Sequence, residues 1–276
     1  GTSTLTNSGT ITTSGQYGHG MYSYNQASGG TSTFTNSGAI TTSEAYGLGI
    51  YSSTNSGTST LTNSGTITTS GSSSRGISSN TNSGTKTILN SGTITTSGQY
   101  SYGVYSNANS GTLTISNTST ISTSGSNADG IYLLRNSGTT TITNSDTIQV
   151  TGSSAVGVTL DGGVTLNNSG TISATGSATE AIDSTGSGND TLNLLAGSKI
   201  TGTIDLGGGT DTVNITGVNG CATAACMSTS LPFANTENIN LSGATGAVTN
   251  GVAATVDPTG NSVLGVSLST MTSAVH

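Results

Sequence analysis

An Asn-Ser-Gly triplet, or a close variant of it, begins at Asn7, Asn36, Asn63, Asn90, Asn117, Asn144 and Asn168, in steps of 29, 27, 27, 27, 27 and 24 residues. A period of this length confines the chain to repeat architectures, in which a small unit buries its apolar side only against its neighbours. Two residues before each Asn stands an apolar residue: Leu5, Phe34, Leu61, Ile88, Ile115, Ile142 and Leu166. Four residues after each comes an isoleucine: Ile11, Ile40, Ile67, Ile94, Ile121, Ile148 and Ile172. A third apolar position follows a Gly at Met21, Ile50, Ile77, Val104, Ile131 and Val158, and follows Ala181 at Ile182.

The unit from Thr58 to Gly84, TSTLTNSGTITTSGSSSRGISSNTNSG, shows what each part does. STLT, TITT and GISS each set an apolar residue among Ser and Thr, the alternation of a strand with one buried face. Between them stand NSG, TSG and a second NSG, the last recurring at Asn55, Asn82, Asn109 and Asn136. Gly at these corners is expected to supply positive φ, which Asn also tolerates. Three strands and three corners describe one turn of a triangular coil. With 30% apolar residues and no Trp, the chain cannot fill the thick core of an ordinary domain, which is roughly 45–50% apolar. We therefore expect an all-β, right-handed parallel β-solenoid of 27 residues per coil. Roughly ten coils stacked about 4.8 Å apart would make a rod on the order of 50 Å long. Same-position Asn residues would form ladders up its corners.

Four Lys and Arg stand against 11 Asp and Glu, a net charge of −7. Arg75, Lys86, Arg135 and Lys199 are too scattered to form a patch, which excludes nucleic acid as a partner. No segment reaches the ~18 consecutive apolar residues of a membrane helix. Cys221 and Cys226, in CATAAC, are the only cysteines. They are expected to close a small disulfide loop, which implies an oxidising compartment.

Tyr22, Tyr51, Tyr105 and Tyr132 each follow the third apolar column, so alternation points them outward. Stacked rings there would reinforce the register, or form an aromatic stripe that meets glycans or a partner's surface. Tyr17, Tyr46 and Tyr100 make a second set, three residues before the same Gly.

After Ile182 the repeat loosens into longer strands and Gly-rich corners. The segments AGSKITGTIDLGGGTDTVNI (Ala196–Ile215) and FANTENINLSG (Phe233–Gly243), with the NSGTITTSG repeats upstream, resemble the C-terminal part of autotransporter (type V secretion) passenger domains. That resemblance implies the last coils before an outer-membrane barrel in the precursor. It also implies surface display or release, with roles in adhesion, aggregation or a surface coat. GSGNDTLN (Gly186–Asn193) fits part of a calcium-binding nonapeptide. Asp190 and Asp211 are the calcium candidates, but they lie 21 residues apart rather than in tandem nine-residue copies. No other cofactor is indicated.

Catalysis is not expected. Glycoside hydrolysis needs convergent carboxylates, and residues 1–128 hold only Glu44. His19 and His276 have no evident nucleophile partner. The chain therefore divides into a regular solenoid (1–182), divergent Gly- and Asp-rich coils (183–217) and an irregular C-terminal cap with the Cys loop and a pre-barrel linker (218–276). The function expected is a non-catalytic adhesin or stalk, exported through the outer membrane of a Gram-negative cell to the surface or beyond. Its partners would be host or bacterial surface glycans or proteins. The alternative is a self-assembling subunit of an extracellular fibre or coat, stacking end to end through the unpaired edge at Gly1.

Overall fold

The computed structural model describes residues 1–107, 110–134, 137–216, 229–242, 245–249 and 252–256. The chain winds into an all-β parallel solenoid of about eight turns with about 27 residues per coil. Length alone suggested ten. The difference arises because the chain beyond Thr216 adds one further pair of parallel strands and then turns antiparallel.

Each strand pairs in parallel with its copy one coil away, like residue against like. Leu5, Phe34, Leu61, Ile88, Ile115, Ile142, Leu166, Leu192 and Val213 form one unbroken file. Eight short strands, Thr10–Thr13 through Lys199–Thr201, carry the isoleucine file on a second face. The third file runs from Met21 through Ile50, Ile77, Val104, Ile131, Val158 and Ile182 to Ile204. Together the three files make a single apolar core along the axis. The repeated Asn residues form the expected ladder. Asn7, Asn36, Asn63, Asn90, Asn117 and Asn144 each donate Nδ2–H to Oδ1 of the next at 2.8 Å, ending at Asn168.

The corners work differently from the sequence expectation. The Gly of the first NSG and of TSG does not adopt positive φ in the regular repeats, whereas Gly84, in the second NSG, does so as expected, at 126°. In the turn after TSG it is Tyr17, Tyr46, Ser73, Tyr100, Asn127 and Ser154 that are left-handed, with φ of 52–61°. At Tyr17, Tyr46, Ser73, Tyr100 and Asn127 this conformation aims the N–H along the rod: Tyr46 donates to Ser72 O at 2.9 Å and Ser73 to Gln99 O at 2.7 Å. Gly is required by closeness between coils. A Cβ on Gly65 would overlap the carbonyl oxygen of Gly38, and one on Gly98 that of Gly71. The second NSG is not a break in the earlier coils, where Met21–Asn36, Ile50–Asn63 and Ile77–Asn90 run as continuous strands.

Two inward positions beside the Leu/Ile file change character along the rod. Ser32, Ser52, Ser59, Ser79 and Ser106 are buried there in the first coils, whereas Leu113, Leu133, Leu160 and Val164 follow. Ser52 and Ser59 share a 2.8 Å hydrogen bond across the interior. Lys86 occupies this position between Ser59 and Leu113 and is 0% exposed. Its Nζ donates to Ser79 O and Ser106 Oγ, each at 3.0 Å.

At the far end Asn238–Ser242 extends the parallel register from Thr212–Thr216. Val252–Val256 then pairs antiparallel with both Thr229–Ala234 and Thr245–Thr249. Strands added this way cover backbone groups that a parallel edge leaves unpaired.

Candidate functional site: an aromatic groove on the outer face

The tyrosines gather because register carries identical positions into contact. Tyr22 and Tyr51 stack with centroids 5.1 Å apart, and His19 stacks on Tyr22 at 5.2 Å. Tyr17 and Tyr46 stack at 4.9 Å as a second column. Further along, Tyr102 and Tyr132 stack at 4.6 Å, with Tyr105 parallel to both. Each pair contributes about 0.5–1.5 kcal/mol beyond its buried area, so the rings reinforce the register whatever else they do.

Of the four tyrosines expected on the surface, Tyr22 is 48% exposed while Tyr51 and Tyr132 are half-buried. Tyr105 departs from the expectation at 6% exposed. The reason is Arg75, whose Cζ lies 3.6 Å from the centre of the Tyr105 ring and 5.6 Å from that of Tyr102. Ser78 occupies the position of Tyr51 and Tyr105 in the intervening coil, and the guanidinium fills the place of the missing ring. In the sequence Arg75 stands as an isolated cation. Its position two residues before the Ile77 column, with tyrosines one coil on, was the signal that could have found it.

Between the two columns lies a groove of about 400 Å³. Tyr17 and Tyr46 form one wall, Tyr22 and Tyr51 the other, and Arg75 closes one end. His19 and Leu48 also line it, and His19 Nδ1 accepts from Leu48 N–H at 3.2 Å. Burial lowers the His19 pKa, which favours the neutral ring. Bonded to backbone and stacked on Tyr22, His19 is a wall of the groove.

The acidic residues act on the backbone. Asp129 accepts from Val156 N at 2.9 Å and Thr159 Oγ1 at 2.6 Å, and burial pushes its pKa up to about 6. Asp190 accepts from Val164 N at 2.7 Å, and its own N–H donates to Asp211 Oδ1 at 2.6 Å. Asp211 N–H in turn donates to Glu237 Oε2 at 2.6 Å. The calcium candidates therefore sit on successive coils and cap strand starts. Among the described residues no three His, Cys, Asp or Glu come together as a metal site. The expected Cys221–Cys226 loop, Arg135 and His276 lie outside the described residues.

Residues 1–107 match the family described as the BigA third pectate lyase-like domain. The matched stretch takes in the whole groove and Lys86. No curated protein and no solved structure matches the chain. The class that the fold and the site define is a parallel β-solenoid with an aromatic outer groove, similar over its first coils to that domain.

Proposed function

We propose that this chain is a non-catalytic surface protein, an adhesin or adhesive stalk held at or released from the outer surface of a Gram-negative cell. The observation that carries the reading is the groove. It sets aromatic and polar groups outward on a scaffold whose other repeated residues are consumed by holding coil to coil. The BigA similarity supports an adhesin-type domain, and the resemblance of Ala196–Ile215 to autotransporter passengers supports export through a barrel. The polar groups described near the groove pack or cap and form no nucleophile–base pair, which favours binding over catalysis. End-to-end assembly is the weaker reading, because Val252–Val256 pairs antiparallel at the far end and blocks simple continuation of the stack there.

Cells or beads displaying the chain are expected to adhere to epithelial or bacterial surfaces, and the variant Tyr46→Ala/Tyr51→Ala is expected to lose most of that adherence. Adherence indistinguishable from bare beads would sink the adhesin reading. Long regular filaments in electron micrographs of the purified chain would favour the fibre alternative.

A further inference from the structure

The third coil interrupts both tyrosine columns. Ser73 stands where the neighbouring coils have Tyr46 and Tyr100, and Ser78 where they have Tyr51 and Tyr105. Ser73 keeps the same left-handed backbone, φ 55° against 55–61° at the three tyrosines. The turn is thus preserved while the ring is removed. One face of Tyr46 is covered by Tyr17, and toward Ser73 no ring replaces the missing one. At the same end of the groove two polar atoms are buried without partners, Arg75 Nε and Asn80 Oδ1. Asn80 Nδ2 donates to the Tyr51 hydroxyl at 3.2 Å, which holds its oxygen in place. Arg75 Nη1 reaches only Ser78 Oγ, at 3.4 Å, and no carboxylate among the described residues pairs with the guanidinium.

A buried donor cation without an anion and a buried acceptor without a donor are each unfavourable until a ligand supplies what is missing. Arg is the side chain suited to planar carboxylates. A sugar hydroxyl can donate to Asn80 Oδ1, and a pyranose offers a flat C–H face to an open aromatic ring. An extended acidic peptide binds by pairing its backbone with a free strand edge. Here the wall backbone is already used between coils, Tyr17 N with Ala45 O at 3.0 Å and Gly49 N with Arg75 O at 2.9 Å.

We propose that the groove binds a carboxylate-bearing sugar residue, its carboxylate on Arg75 and its ring over Tyr46 in the space left by Ser73. The proposal rests on the reading of the chain as a surface-binding protein and names the ligand class of that groove.

Matched glycan pairs that differ only in the acidic residue test it: sialyllactose against lactose, and glucuronate-ended against glucose-ended oligosaccharides. Titrated on the full chain, the acidic member is expected to bind at least about tenfold more tightly, ~1.4 kcal/mol. Arg75→Gln should bring each pair to parity, and Arg75→Lys should keep part of the preference. Ser73→Tyr restores the missing ring at a backbone that already accepts Tyr, so it should abolish binding of both members with thermal unfolding unchanged. Equal affinity within the pairs, no effect of Arg75→Gln, or stronger binding of a poly-glutamate peptide would each overturn the proposal. So would the absence of glycan binding. In that case, adherence of displaying cells that survives Ser73→Tyr leaves the adhesin reading standing, and no adherence removes both.

Discussion

At Lys86 an amine occupies an inward position that Ser32 and Ser59 fill in the coils before and Leu113 in the coil after. Alternation in TKTILN puts Lys86 on the face of Ile88, so its direction is legible in the sequence; its burial is not, because lysine is ordinarily solvated. Burial lowers its pKa from 10.5 to about 7. Between those values the unfolded chain holds the proton and the folded one does not, so stability rises with pH through that window. Asp129 and Asp190 shift the other way, from 3.8 up to about 6 by burial. There the folded state holds more protons, so stability falls as pH rises from about 4 to about 6. Urea unfolding from pH 4 to pH 10 should therefore show a stability minimum between about 6 and about 7; a maximum there would contradict this account. Lys86→Met should remove the alkaline limb and stabilise the protein at pH 7 by on the order of 1–4 kcal/mol.

Strands and their apolar files were almost wholly legible, because Leu5 to Leu166, Ile11 to Ile172 and Met21 to Ile182 each repeat a residue class at a fixed offset. Corners are legible in place, but only at the second NSG, as at Gly84, is the cause the expected positive φ. At Gly65 the residue serves instead through the absence of a Cβ beneath the Gly38 carbonyl. The unusual backbone falls on Tyr17, Tyr46 and Tyr100 instead. Such a bulky left-handed residue costs roughly 1–2 kcal/mol, offset here by an inter-coil hydrogen bond. Nothing in a local sequence window announces that trade. Gly65→Ala should lower stability by about 3 kcal/mol or more, since backbone on two coils must separate. Gly15→Ala meets nothing within 4 Å and should stay within about 0.5 kcal/mol of the parent. Equal denaturation midpoints for the two variants would contradict the close-approach account.

For the molecule as a whole, the period specified the solenoid, while the groove arose from departures from the period. Ser73, Arg75 and Ser78 differ from their counterparts in neighbouring coils, and only stacking brings those differences together. The aromatic columns could be read from the sequence; the single coil that opens them could not, because its meaning depends on what lies above and below. The backbone bonds that join coils also decide how the rod bears load. They lie along the axis, so a pull on its two ends loads one coil's bonds at a time and peels coils in succession. Each coil of about 27 residues would lengthen the tether by ~90 Å. Force–extension traces should then be regular sawteeth with that increment, and one all-or-none rupture would contradict it. A cell held by such a rod would feel a force capped at the strength of one coil, while the work of a sudden tug is spent in unwinding the rest.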